Sequence, residues 1–253
     1  MRGVKIIFLY FLFVCFSLNA QVEMAVNYLA VPNLGALSEI SGFSKSLEYK
    51  GIIHSMVQRF FNNGILINDG TASYSDLLEG ALDGKFENKP VDIIGGIYYD
   101  EKNLKYLMYV PVPVATDNML IAFKSDLKST YRGISEVEVL QNSDANLIII
   151  EGMDLNEIIV NKTFISFKSM EECINEILEN NSVFVGSERM LRNYVEKNPD
   201  VKSKIAASHL KKDDKIVKRR LFFAFNRDFL SVQKNENLVK EFGEFLRNYR
   251  NQN

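Results

Sequence analysis

The residues best suited to meeting a ligand fall in one stretch, DIIGGIYYDEKNLKYLMYVPVP, from Asp92 to Pro113. Its apolar run ends in Gly95-Gly96, where a backbone without Cβ atoms can approach a bound molecule closely. The polar turn from Tyr98 to Asn103 then sets tyrosine hydroxyls, an amide and backbone N–H groups at the start of a short helix. Polar or anionic groups are favoured there. Gly152-Met153-Asp154 repeats the arrangement at the end of the apolar run ANLIIIE, so ligand-facing N–H groups and a helix N-cap by Asp154 are both expected. This is chemistry for binding. His54 and His209 lack companions at metal spacing, so no metal is expected. The carboxylates are scattered without a placed acid/base pair, so neither catalysis nor a cofactor is expected. Cys173 lies in SMEECINEILEN with Met170, Ile174, Ile177 and Leu178 on one helical face, and reads as a small core residue.

The segments that must position these residues alternate between short apolar runs and helical periodicity, the pattern of an α/β fold. Strands are expected at Glu23–Val31, ILIND (65–69), VDIIGG (91–96), NMLIAFK (118–124), ANLIIIEG (145–152), KTFISF (162–167), SVFVGS (182–187) and RRLFFAFNRDF (219–229). Helices are expected at GIIHSMVQRFF (51–61), SYSDLLEGALDG (73–84), MDLNEII (153–159), SMEECINEILEN (169–180), ERMLRNYVEKN (188–198) and in the closing NENLVKEFGEFLRNYR. The second of these has Ser73 or Ser75 as N-cap and Gly84 as its stop.

Order and spacing together resemble the bacterial extracellular solute-binding proteins of family 3, from about Val22 to Tyr249. VDIIGGIYYDEKNLKYLMYVPVP is similar to their strand, ligand turn and cleft wall. YKGIIHSMV resembles their opening helix, with Ser55 where an aspartate usually stands. ANLIIIEGMDLNEII, ENNSVFVGSERMLRNYV and RLFFAFNRDF with NLVKEFGEFLRNY resemble the later segments. The resemblance implies a two-lobed periplasmic binding protein type 2 fold with two hinge crossings. Lobe I would comprise residues 21–113 and 220–253, lobe II residues 119–216, and the hinges would lie near 113–118 and 215–219. Ligand between the lobes would stabilise the closed form.

In amino-acid-binding members, a threonine and an arginine five residues later hold the α-carboxylate, and a second-lobe aspartate holds the α-ammonium. Those positions fall on Tyr98, Asn103 and Ser187. A buried carboxylate without its guanidinium is poorly paired, so a standard α-amino acid is not the expected ligand unless Lys102, Lys105 or Glu188 substitutes. Tyr28 and Tyr74 fall where family members often put aromatics over the ligand, and packing is the other role open to each. A less charged solute held by Tyr98, Asn103 and donors around Gly96, Gly152, Met153 and Asp154 is the preferred expectation. Free-standing capture for an ABC importer is the first function implied, with a permease as partner; a sensor module reporting to a membrane partner, or an orphan binder, is the alternative.

Arg2 and Lys5 precede the apolar run Ile6–Ser17, and Leu18-Asn19-Ala20 offers a cleavage site, so residues 1–20 read as a secretory signal peptide and the mature chain is placed in the periplasm. A lipid anchor at Cys15 and an uncleaved anchor are the alternatives. Loss of the leader takes the net charge from −2 to −4, which gives no electrostatic basis for nucleic-acid binding. Lys211-Lys212 with Lys218-Arg219-Arg220, broken by Asp213 and Asp214, reads as a solvated face between the lobes. A monomer is expected. Cys173 would be the single cysteine left after cleavage, which leaves no disulfide framework despite export.

Overall fold

The computed structural model describes residues 22–37, 39–41, 48–233 and 237–252. The leader and Cys15 lie outside the described residues. The first lobe begins with β1 (Val22–Ala30), helix α1 (Ile52–Phe60) and β2 (Phe61–Leu66), then helix α2 (Tyr74–Asp83) and β3 (Ile93–Tyr98). After a 3-10 turn at Glu101–Lys105 come β4 (Leu107–Tyr109) and the long β5 (Ala115–Lys124). The second lobe holds α3 (Val137–Gln141), β6 (Leu147–Ile150), β7 (Phe164–Phe167), α4 (Met170–Asn180), β8 (Val183–Ser187), α5 (Glu188–Lys197) and β9 (Ile205–His209). The chain returns through β10 (Lys218–Asn226) and closes with α6 (Arg227–Gln233) and α7 (Asn237–Gln252).

The strands pair in the order β7-β6-β8-β5-β10-β3-β1-β2, with β9 added to β5 and β4 added to β10, ten in all. Two strands serve both halves. The start of β5 pairs with the start of β10 in antiparallel register, Ala115 opposite Leu221, Thr116 opposite Arg220, Asp117 opposite Arg219 and Asn118 opposite Lys218. The rest of β5 pairs with β8 and β9, and the rest of β10 with β3 and β4. This antiparallel ribbon is where the chain passes between the lobes. Among the described residues, no helix is long and apolar enough to cross a membrane.

Apolar periodicity explains the packing. Ile53, Met56, Val57 and Phe60 are the buried face of α1, and Leu238, Val239, Phe242 and Leu246 that of α7. Their aromatic members meet at Phe61, Phe223 and Phe225, with Phe223 and Phe225 both edge-on to Phe242. One buried cluster runs from this lobe through Val31, Leu34, Tyr74 and Tyr98 to Ile150, Met153 and Met190, so the two lobes are packed against each other. Ser73 and Ser169 each close a capping box at α2 and α4, and Gly84 ends α2 in the left-handed conformation at φ 69°.

Three expectations need correction. MDLNEII is not a helix: residues 151–160 form turns, in which Met153, Leu155 and Ile159 are all buried. The strand expected at ILIND begins earlier, directly after α1 at Phe61. RRLFFAFNRDF is a strand only to Asn226, whose side chain accepts from the N–H groups of Asp228 and Phe229 and so opens α6. Cys173 is fully buried and its thiol is pushed up to about 12 by that burial, in keeping with a core role.

Gly95 has a packing role that the sequence does not announce. A Cβ there would lie 2.6 Å from the Phe223 ring and 2.7 Å from Ile53 Cγ2. Gly95→Ala should therefore destabilise the protein by about 1–3 kcal/mol through overpacking. Urea unfolding measures it, and a change below the error of the extrapolation would remove this role.

Candidate functional site

The site is built on a bulge at the end of β3. Opposite β10, Tyr98 pairs with Leu221 and Ile97 with Phe222, but the next partner of Phe223 is Gly95, so Gly96 is the extra residue. Gly96 takes φ 86°, a conformation glycine adopts without penalty. Its Cβ direction is filled by Leu34 and Ile53, with 2.8 Å to Leu34 Cδ1. Its missing side chain admits Leu34 and Ile53 of the core, and the extra residue shifts the register ahead of Ile97 and Tyr98.

Tyr98 points at the ribbon between the lobes. Its ring is 3% exposed, and its hydroxyl donates to Asp117 Oδ2 at 2.7 Å. Asp117 is 1% exposed, and its Oδ2 also accepts from Ser187 Oγ at 2.5 Å. Ser187 is fully buried at the end of β8, and its Oγ in turn accepts the Met190 N–H at 3.1 Å as N-cap of α5. The Arg189 N–H reaches Asp117 Oδ1 at 3.4 Å. Directly across the ribbon, Arg219 lays its guanidinium over the Tyr98 ring, 4.5 Å from the centroid. It donates to the carbonyl oxygens of Asp154 at 2.9 Å and Tyr99 at 3.4 Å, one from each lobe. Burial, then the adjacent Asp117 charge, hold the Tyr98 phenol well above its ordinary value, so it stays a neutral donor.

Around this centre the lobes touch through polar pairs. Tyr74 accepts the Tyr98 N–H at 3.3 Å, and a Cβ on Gly152 would meet the Tyr74 ring at 3.0 Å. Lys102 pairs with Asp154, Lys168 with Asp76 at 3.3 Å, and Ser75 Oγ donates to Glu151 at 3.1 Å. The Lys102 hydrogen bond holds Asp154 below its ordinary value, and the Ser73 bond does the same for Asp76, helped by Lys168. At the far edge Asn193 Nδ2 donates to Asn33 Oδ1 at 3.1 Å, and Lys197 Nζ to the same oxygen at 3.4 Å.

A cavity of about 350 Å³ remains between the lobes, beside Tyr74 and away from the ribbon. Val31 and Pro32 wall it from the first lobe, Ile150, Met170 and Met190 from the second. A second, more polar cavity of about 470 Å³ lies against Asn118, Glu188 and Arg192. Glu188 is spent there, accepting from Asn118 at 2.7 Å and Arg192 at 2.9 Å, with His209 at 3.3 Å. Burial pushes its carboxyl up, but the bonds from Asn118 and His209 outweigh it and the net shift is down.

The structure gathers Tyr74, Tyr98, Gly152, Asp154 and Ser187 in one place and parts the others from it. Tyr28 is fully buried with its hydroxyl against the His54 ring, which fits the packing role open to it. Asn103 is 8% exposed, its amide 3.5 Å from the Tyr109 hydroxyl. Met153 is core, and Asp154 caps a turn by accepting the Asn156 N–H at 2.9 Å instead of a helix. Lys105 lies over the Tyr106 ring and Lys102 is taken by Asp154. Sequence reasoning missed Asp117 and Arg219. Asp117 carries a signal, a lone acid entering the apolar run NMLIAFK. Arg219 was placed on a solvated face but is half-buried between the lobes.

By sequence, neither a family model nor a curated protein matches the chain. By structure, an amino acid ABC transporter substrate-binding protein, AbpA from Streptococcus pneumoniae, bound to L-arginine, superposes with a TM-score of 0.65 at 13% identity, covering 90% of each chain. The fold is that of the type 2 periplasmic binding proteins. A putative ABC transporter binding component from Wolinella succinogenes, complexed with lysine, shares this type 2 fold at TM-score 0.64 and 13% identity, over 91% of this chain and 92% of that one. So does an ancestral amino acid-binding protein, a precursor of cyclohexadienyl dehydratase, at TM-score 0.61 and 14% identity over 90% of each chain.

Two outcomes follow from this geometry. Tyr98→Phe removes a donor from a buried carboxylate and should cost about 1.5–3 kcal/mol in urea unfolding, whereas Tyr99→Phe should change stability by no more than about 0.5 kcal/mol. Equal effects would mean the Tyr98 hydroxyl does not hold Asp117. Asp154 sits below its ordinary value of 3.8 with the bond from Lys102 of the other lobe as the largest cause, so its contribution to stability is fully present above that value and is lost as pH falls through its lowered value. Stability in urea should fall over that acid range, and the fall should flatten in a Lys102→Gln variant.

Proposed function

We propose that this protein is an exported two-lobed solute-binding protein that captures a small molecule between residues 21–113 with 220–253 and residues 119–216, hinged near 113–118 and 215–219. One observation carries this reading. The positions that would anchor an amino acid, Tyr98, Asn103 and Ser187, are buried; Tyr98 and Ser187 are bonded to Asp117, and the Asn103 amide lies near the Tyr109 hydroxyl, while a cavity lined by none of the three lies between the lobes, beside Tyr74. The site is therefore displaced from the anchor positions toward α4 and α5. Solute bound there touches both lobes and favours the closed arrangement by its differential affinity.

Neighbours of this fold that serve ABC transporters support delivery to an importer, with a permease as docking partner. The alternative is a sensor or orphan module, which the same cavity serves equally. The leader pattern supports cleavage after Ala20 and a periplasmic product, which is proposed as a monomer. Asp76, the carboxylate lining the cavity, is already tied to Ser73 and Lys168, which supports binding without catalysis.

A solute that enters the cavity should raise the melting temperature by mass action and reduce the radius of gyration. Stabilisation without compaction would assign it to a surface site. The twenty standard amino acids should give no shift. Ser187→Asp, which restores the aspartate of the amino-acid binders, puts a second carboxylate against Asp117 and should lower stability without conferring amino-acid binding. Calorimetric binding of an amino acid by that variant would contradict this reading.

A further inference from the structure

The cavity that this function rests on also has a charge balance, and it selects a class of solute. Three charged side chains line it: Asp76, Lys168 and Lys197. Asp76 and Lys168 neutralise each other across the lobes at 3.3 Å. Lys197, in the last turn of α5, has an amide oxygen of Asn33 at 3.4 Å as its partner and no carboxylate among the described residues. Lys197 is exposed, so the lining carries one positive charge without a carboxylate partner, on its solvent side. The walls Val31, Ile150 and Met190 are buried and apolar.

We infer that the cavity takes a small monocarboxylate with an apolar body, its carboxylate on Lys197 and its body against Val31, Ile150 and Met190. Lys197 exchanges a weak bond to an amide oxygen for a charge-assisted one, while Asn33 Oδ1 keeps the Asn193 Nδ2 donor. An added ammonium has no comparable place. It would reach Asp76 only by displacing Lys168, and would then face two lysines. The volume of about 350 Å³ is at the small end of the range for small-molecule sites, which suits such a solute.

Calorimetry on the mature protein tests this with two acids, 3-phenylpropanoate and 4-methylpentanoate, their primary amides, and L-arginine. At least one acid should bind, with its amide about twofold to fivefold weaker, the worth of an ion pair at an exposed lysine. Lys197→Gln should bring the acid down to the affinity of the amide and leave the amide unchanged. Lys197→Arg should keep the preference, and Lys204→Gln, whose lysine pairs with Asp200 outside the cavity, should have no effect. Equal binding of acid and amide, or an acid preference that survives Lys197→Gln, overturns the charge assignment and leaves the solute-binding reading standing. Binding of L-arginine with compaction, without the acids, overturns the charge assignment and the exclusion of amino acids, and leaves only the solute-binding reading standing. If no probe and no member of a wider small-molecule library shifts the melting temperature, both the assignment and the reading fail.

Discussion

A carboxylate buried where the chain crosses between two lobes constrains everything around it. Asp117 lies on the ribbon itself, almost without contact with water, so leaving it short of donors would cost several kcal/mol. One hydroxyl comes from the first lobe, at Tyr98, and one from the second, at Ser187. The lobes can part only if Asp117 loses one of these donors or water replaces it. Arg219, its direct cross-strand neighbour, reinforces the arrangement by stacking on Tyr98 and holding a carbonyl from each lobe. The pairs nearer the surface, Lys102 with Asp154 and Lys168 with Asp76, are solvent-screened and contribute little by comparison.

Under the proposed function, that arrangement also bears on where a ligand goes. In a fold whose solved members include binders of arginine and lysine, the two best-placed anchor positions here are turned inward and saturated. At Tyr98, Asn103 and Ser187 a zwitterion would find neither a guanidinium nor an aspartate. Space persists farther along α5, where the helix runs away from Ser187 and its side chains Met190, Asn193 and Lys197 face the Val31–Asn33 segment. The same hydroxyl that closes one site by capping α5 orients the helix that walls the other.

Much of the fold is legible in the residues because burial and capping leave strong local marks. Long apolar runs gave β3, β6 and β8, and serine caps with Gly84 framed α2. The strand Ile205–His209 was not legible: its Ala206, Ala207 and Ser208 carry no apolar alternation, and its place depends on pairing with β5. MDLNEII has helical spacing, yet Lys102 claims the Asp154 side chain and Arg219 its carbonyl, and turns win. At the site, the resemblance marks Tyr98 and Ser187, but their link through one shared carboxylate is visible only in the fold. The residue that joins them, Asp117, sits in no recognisable motif. For Tyr28 the sequence leaves ligand contact and packing both open, because strand alternation alone does not say which face of β1 is inside.

The most direct test of this account is a crystal structure of the protein with a bound solute. Density beside Val31, Met190 and Lys197, with the Tyr98 hydroxyl still on Asp117, is the predicted result. A solute lying between Gly96 and Gly152, with Tyr98 swung away from Asp117 and Ser187 turned toward the ligand, would contradict it.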